Sequence, residues 1–211
     1  MTRRASLWSL LVVGVAGFAL LAVAYRHEPL STLDHRVASW IARNMPTWAE
    51  WLARPPSWLG GWMGMALLSV IAVVLLVRER SWLDLGFYAA AFGGSQLAVA
   101  AFKAWFDRPR PDVGSAVPLP FTPAFPSGHA TAGVASVGAF AVLVAERLPS
   151  RRARVWLWAA VAVLGFAIGT SRVVLDVHYV TDVLAGWCLG LAWLSGCLLL
   201  RDALRARGVS T

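Results

Sequence analysis

Between Ser171 and Asp182 the chain reads Ser-Arg-Val-Val-Leu-Asp-Val-His-Tyr-Val-Thr-Asp, which sets an arginine, a histidine and a carboxylate at positions 172, 178 and 182. A helix beginning near Tyr179 would stack His178 and Asp182 on its first turn. The carboxylate could then accept a hydrogen bond from one imidazole nitrogen and leave the other unprotonated. That is how a neutral histidine becomes a base or a nucleophile. Asp176 lies inside the same stretch and adds a carboxylate to which the sequence assigns no role.

Two further clusters lie upstream, Lys103-Ala-Trp-Phe-Asp-Arg-Pro-Arg110-Pro111 and Pro126-Ser127-Gly128-His129. Ser127 is a good N-cap, Gly128 lets an anion approach the backbone, and the free N–H groups of a first helical turn carry partial positive charge. With Lys103, Arg110 and Arg172 these groups suit a phosphate: arginine grips two oxygens in a fork and lysine adds a point charge. Two histidines would divide the labour. His178, oriented by Asp182, would attack phosphorus, and His129 would protonate the departing oxygen. Phosphoryl transfer asks mainly for positioning and charge stabilisation, which these cations supply without a metal.

The elements that must hold these groups are membrane spans. Of 211 residues 58% are hydrophobic and 14% charged, with the charges gathered between apolar blocks. A helix needs roughly 20 apolar residues to cross a hydrocarbon core of about 30 Å. Six blocks approach that length, at about 6–25, 58–77, 82–106, 127–145, 155–170 and 179–200. The expected fold is therefore all-α, a six-transmembrane-helix bundle forming one integral membrane domain over residues 1–211. A short helix at the membrane surface is expected between spans 1 and 2, where Leu33, Val37, Trp40 and Ile41 recur at helical spacing. Pro46, Pro55 and Pro56 are expected to break that region up, and His27 and His35 to be solvated. The proline-rich 107–126 loop cannot be helical, and Asp107 is expected to pair locally with Arg108.

The net charge of +8 does not call for nucleic acid, because basic cytoplasmic loops alone make membrane proteins basic. With the N-terminus inside, six spans place eleven of the nineteen basic residues in the cytoplasm, and the 107–126 and 171–178 loops outside together. Arg3 and Arg4, an apolar run and Ala22-Val23-Ala24 also resemble a secretory leader. The run is longer than the about 7–15 residues of a leader core, so a retained span is expected. Cys188 and Cys197 fall on opposite faces of the last span, where they cannot bond to each other, and no Cys-His cluster indicates zinc.

Lys103-x6-Arg110-Pro111, Pro126-Ser127-Gly128-His129 and Ser171-Arg172-x5-His178-x3-Asp182 resemble the three signature motifs of the type 2 phosphatidic acid phosphatase superfamily, whose site is shared with vanadium haloperoxidases. The resemblance spans about residues 103–182. It implies a phosphohistidine on His178, proton donation by His129 and support from Asp182. It also implies phosphate contacts from Lys103, Arg110, Ser127, Gly128 and Arg172, with no metal and no cofactor. The implied setting is a bacterial cytoplasmic membrane with cytoplasmic termini and an extracytoplasmic site. The implied substrate is a phospholipid or polyprenyl (di)phosphate, with undecaprenyl diphosphate, phosphatidic acid and phosphatidylglycerol phosphate as candidates and no obligatory protein partner. A phosphotransferase that hands the phosphate to another lipid or sugar would carry the same motifs. A protein that only binds or transports anionic lipids would need the cations but not the His178–Asp182 pair. A haloperoxidase would gain nothing from six spans.

Overall fold

The computed structural model describes residues 2–112, 114–115 and 117–208. Among these residues all regular secondary structure is helical, with no strand. Helix α1 (Arg3–Ala24) is followed by α2 (Leu30–Asn44), α3 (Thr47–Gly60) and α4 (Trp62–Arg78). Next come α5 (Trp82–Ala89) and α6 (Ser95–Phe106), joined through a π-type turn at Ala90–Gly94 into one span of 25 residues. Helices α7 (Gly128–Arg147), α8 (Arg151–Val174) and α9 (Val180–Ala206) complete the chain. Five segments are long and apolar enough to cross a membrane alone, and α3 with α4, bent by 43°, make a sixth. The all-helical, multi-pass architecture expected from hydropathy is the one found.

Helix α7 is the axis of the bundle. Its face of Ala132, Ala135, Ser136 and Ala139 is buried, because side chains this small let neighbouring helices close on it. The crossing with α9 is close at Gly186, where an added Cβ would stand 2.6 Å from the Ser127 carbonyl oxygen. That glycine brings the first turns of α7 and α9 together. The Ser127 N–H then donates to the Asp182 carbonyl at 3.0 Å, tying the second motif to the third. Helix α1 lies along α9 and turns Val12, Val13, Val15 and Leu20 outward. Trp62, Trp82, Trp105 and Trp156, near the span ends, are exposed, as side chains meeting a membrane interface should be.

The region between the first and fourth helices departs from expectation. Pro46 breaks the chain there, but Pro55 and Pro56 lie inside a second helix, α3. Ala53, Ser57 and Gly60 form its buried stripe, and packing of that stripe against α8 outweighs the backbone hydrogen bonds that the two prolines forfeit. The second span is consequently broken rather than a single helix from 58: after Gly61 extends the backbone, its straight apolar part, α4, starts at Trp62. The fifth span starts earlier than expected, at Arg151, and continues to Val174, and the sixth runs past 200 to Ala206, taking Arg201 and Arg205 into helix.

Candidate active site

The third motif is shaped by the end of α8 and the start of α9. Asp176 closes α8 in the left-handed conformation, with φ 56°, and the Val177 N–H returns to the Arg172 carbonyl at 3.1 Å. Aspartate tolerates this conformation better than most residues. The turn delivers His178 two residues before α9 begins, not within its first turn. Asp182 sits on that turn and accepts the Tyr179 N–H at 2.9 Å through Oδ2. The same oxygen faces His178 Nδ1 at 3.3 Å, and both side chains are buried, at 3% and 0% exposure.

Arg110 decides the tautomer. Its Nη1 donates to the Val177 carbonyl at 2.6 Å and lies 3.2 Å from His178 Nε2. A guanidinium can only donate, so Nε2 is the acceptor and Nδ1 carries the hydrogen toward Asp182. Burial first, then the charges of Arg110, Lys103 and Arg172, pull the His178 pKa well below its usual value, opposed by a backbone contact at Ala124. The imidazole is thus held neutral with a lone pair on Nε2. Asp176, beside it in sequence, is pushed up to about 6 by burial, and its Oδ2 has no hydrogen-bond partner.

The other expected residues arrive from separate elements. Lys103, in the last turn of α6, donates to the Pro123 carbonyl. Arg172, near the end of α8, donates to Ser57 Oγ on α3, and its buried Nε has no partner. Ser127 caps α7 through the Ala130 N–H at 3.5 Å and is fully buried, with Gly128 behind it over Val99 of α6. His129 projects from the first turn of α7 and lies against the α3–α4 bend. A Cβ on Gly61 would approach its Nε2 to 3.4 Å. The charges acting on His129 are those of Arg172, His178, Arg110 and Lys103, which places both imidazoles and all three cations in one electrostatic neighbourhood.

One expectation fails here. Arg108 does not pair with Asp107. The chain turns through a left-handed conformation at Asp107, with φ 44°, and sends Arg108 inward to Asp182 Oδ1 at 2.6 Å and Asp34 Oδ2 at 2.8 Å. Sequence reasoning gave Asp34 no role, although it stands at helical spacing from Ala38 and Ile41, which share its buried face. Among the described residues no group of three or more His, Cys, Asp or Glu side chains is arranged to hold a metal ion.

The PAP2 superfamily model matches residues 82–206, a stretch that contains every one of the motif residues above. The chain belongs to the PAP2 superfamily. This PAP2 protein is 27% identical over 176 residues to phosphatidylglycerophosphatase B of Bacillus subtilis, covering 82% of this chain and 86% of that one. It is 35% identical over 133 residues to decaprenylphosphoryl-5-phosphoribose phosphatase of Mycobacterium tuberculosis, covering 62% of this chain and 66% of the relative. The crystal structure of a transmembrane PAP2-type phosphatidylglycerolphosphate phosphatase from Bacillus subtilis superposes with a TM-score of 0.82 at 25% identity, covering 93% of this chain and 96% of the other. With its family and its fold in agreement, this PAP2 protein is a phosphatase of the multi-pass membrane type.

Proposed function

We propose that this PAP2 phosphatase removes phosphate from a membrane lipid phosphate or diphosphate through a phosphohistidine on His178, at the extracytoplasmic face of a bacterial cytoplasmic membrane. The observation that carries the reading is the neutral, oriented His178 standing beside Lys103, Arg110 and Arg172, cations bonded to neutral carbonyl and hydroxyl groups rather than to carboxylates. His178 Nε2 attacks phosphorus and the bond from phosphorus to the leaving oxygen breaks. His129 gives that oxygen a proton. Water, losing its proton to His129, then attacks the phosphohistidine, and the phosphorus–nitrogen bond breaks. Asp182 holds the imidazole and balances the charge it acquires on bonding. Lys103, Arg110, Arg172 and the N–H groups at Ser127 and Gly128 bind the phosphoryl oxygens and take up the charge developing on them, the part a metal plays elsewhere.

The lipid nature of the substrate is supported by the relatives, whose names specify lipid-linked phosphates, and by a site at the ends of membrane spans. Phosphatidylglycerol phosphate, phosphatidic acid and undecaprenyl diphosphate are the candidates. The extracytoplasmic face and cytoplasmic termini are supported by the distribution of arginines. The test is phosphate release from these lipids by the purified protein in detergent with EDTA present. Release is expected from wild type, none from His178→Ala and almost none from His129→Ala. Turnover by His178→Ala, or strict dependence on an added divalent metal, contradicts the mechanism.

A further inference from the structure

Helix α2 buries one charged side chain, Asp34, at 1% exposure, while Arg36 and Arg43 on the same helix are exposed. Asp34 Oδ1 takes the Thr181 N–H at 3.2 Å. Its Oδ2 takes the Thr181 hydroxyl and, at 2.8 Å, Arg108 Nη2. Arg108 turns its other nitrogen, Nη1, to Thr181 Oγ1 at 2.7 Å and Asp182 Oδ1 at 2.6 Å. The guanidinium is held over the rings of Tyr25 and Tyr179, 4.5 and 4.2 Å from their centroids. Asp182 therefore offers one oxygen to Arg108 and the other to His178. Arg108 bonds the carboxylate oxygen that does not face His178.

A lone arginine beside Asp182 could take both carboxylate oxygens in a fork and draw Oδ2 off the imidazole. Asp34 diverts one arm of that fork, which leaves Oδ2 to His178 and the Tyr179 N–H. We propose that Arg108 and Asp34 are positioning residues that together fix the Asp182 carboxylate in the orientation serving His178, so that α2 takes part in catalysis without touching substrate. The inference rests on the reading of His178 as nucleophile.

The charged groups around the His178–Asp182 pair are Lys103 from α6, Arg110 from the loop, Arg172 from α8, His129 from α7 and Asp176 from the preceding turn, besides Arg108 and Asp34. All but the last two stay constant in the test, which follows kcat/KM against pH for Arg108→Gln, Asp34→Asn and the double variant. The substrate is phosphatidic acid in detergent micelles, or phosphatidylglycerol phosphate if that turns over faster, so its own ionisation is common to every profile. The acid limb reports protonation of His178 in the free enzyme. Loss of the Arg108 charge favours the imidazolium and should move the limb up by about half a pH unit or more. Loss of the Asp34 charge should move it down by a similar amount. Each single variant should also lose roughly tenfold to a hundredfold in kcat with a smaller change in KM, and the double variant should return the limb toward wild type. Limbs that stay at the wild-type position, or that move the same way in both single variants, overturn the inference. Asp34→Asn is isosteric and decides the matter alone should Arg108→Gln fail to fold. An inactive wild type or an active His178→Ala protein would instead overturn the reading of the site itself.

Discussion

Helix α9 carries a charge cluster at each end, and the two are built on opposite plans. At the far end Arg201, 1% exposed, bonds Asp84 at 2.6 and 2.8 Å and Glu146 at 2.7 and 2.8 Å. Arg205 joins the same two carboxylates at 3.0 and 3.4 Å. Two guanidiniums thus meet two carboxylates, and the cluster ties α5, α7 and α9 together. Roughly 30 Å away along the helix, Lys103, Arg110 and Arg172 have among the described residues no carboxylate within ion-pair distance. Their hydrogen bonds go to the carbonyls of Pro123, Val177 and Thr122 and to hydroxyls of Thr122 and Ser57. Asp182, whose charge acts on Lys103 and Arg110, is taken by Arg108 and His178. A self-balanced cluster holds helices in place. A cluster of cations facing neutral dipoles keeps its charge for a partner that brings the opposite sign.

Substitutions at the two ends should separate these roles. Arg172→Ala should lower kcat/KM by about a hundredfold to a thousandfold, with a melting temperature no lower than wild type, since it removes a cation that no carboxylate compensates. Arg201→Ala should do the reverse. It leaves Asp84 and Glu146 to Arg205 alone and should cost about 2–3 kcal/mol of stability, while the protein that remains folded keeps its kcat. If Arg172→Ala melts the protein as severely as Arg201→Ala, the contrast between the clusters fails. Gly186→Leu should perturb both ends of the account at once. The added side chain presses on the Ser127 carbonyl, should cost about 1–3 kcal/mol, and should lower turnover by displacing the start of α7.

The smallest expected effect is at Asp176. Its pKa is raised to about 6 by burial, so the folded state binds a proton more tightly than the unfolded one. Stability should fall as pH rises from about 4 to 6 and then level off. Asp176→Asn removes that penalty and retains tolerance of the left-handed conformation. Its melting temperature should exceed wild type by a few degrees at pH 8, with the gap closing near pH 4. For His178 the sign is opposite. Its lowered pKa keeps the imidazole neutral, so the acid limb of activity should lie below the usual histidine value, and a profile that falls away above neutral pH as it is acidified would contradict the assignment.

The site was legible in the sequence to the extent that its residues sit at fixed spacings on elements the hydropathy reveals. Lys103 and Arg110, Ser127 and His129, and Arg172 through Asp182 each lie within one short stretch, and the structure brings these stretches together. Arg108 was misread because Asp107 stands beside it, and only the left-handed turn at Asp107 shows that the two point apart. Asp34 escaped because the apolar pattern on α2 mixes two faces, with Leu33 and Trp40 exposed and Ile41 buried, and so does not show which side turns inward. The face turned inward is Asp34, Ala38 and Ile41. Helix α3 escaped for another reason: Pro55 and Pro56 speak against helix locally, while the evidence for it, a stripe of Ala53, Ser57 and Gly60, acquires meaning only against α8.

The most direct test of the central claim is to quench turnover of a lipid substrate labelled with radioactive phosphate and map the label on the denatured chain. An acid-labile, base-stable phosphate on His178, present in wild type and absent from His178→Ala, is the expected result. Wild-type turnover with no trapped label at His178 under conditions that trap it in other phosphohistidine enzymes, or label persisting in His178→Ala, would contradict the account.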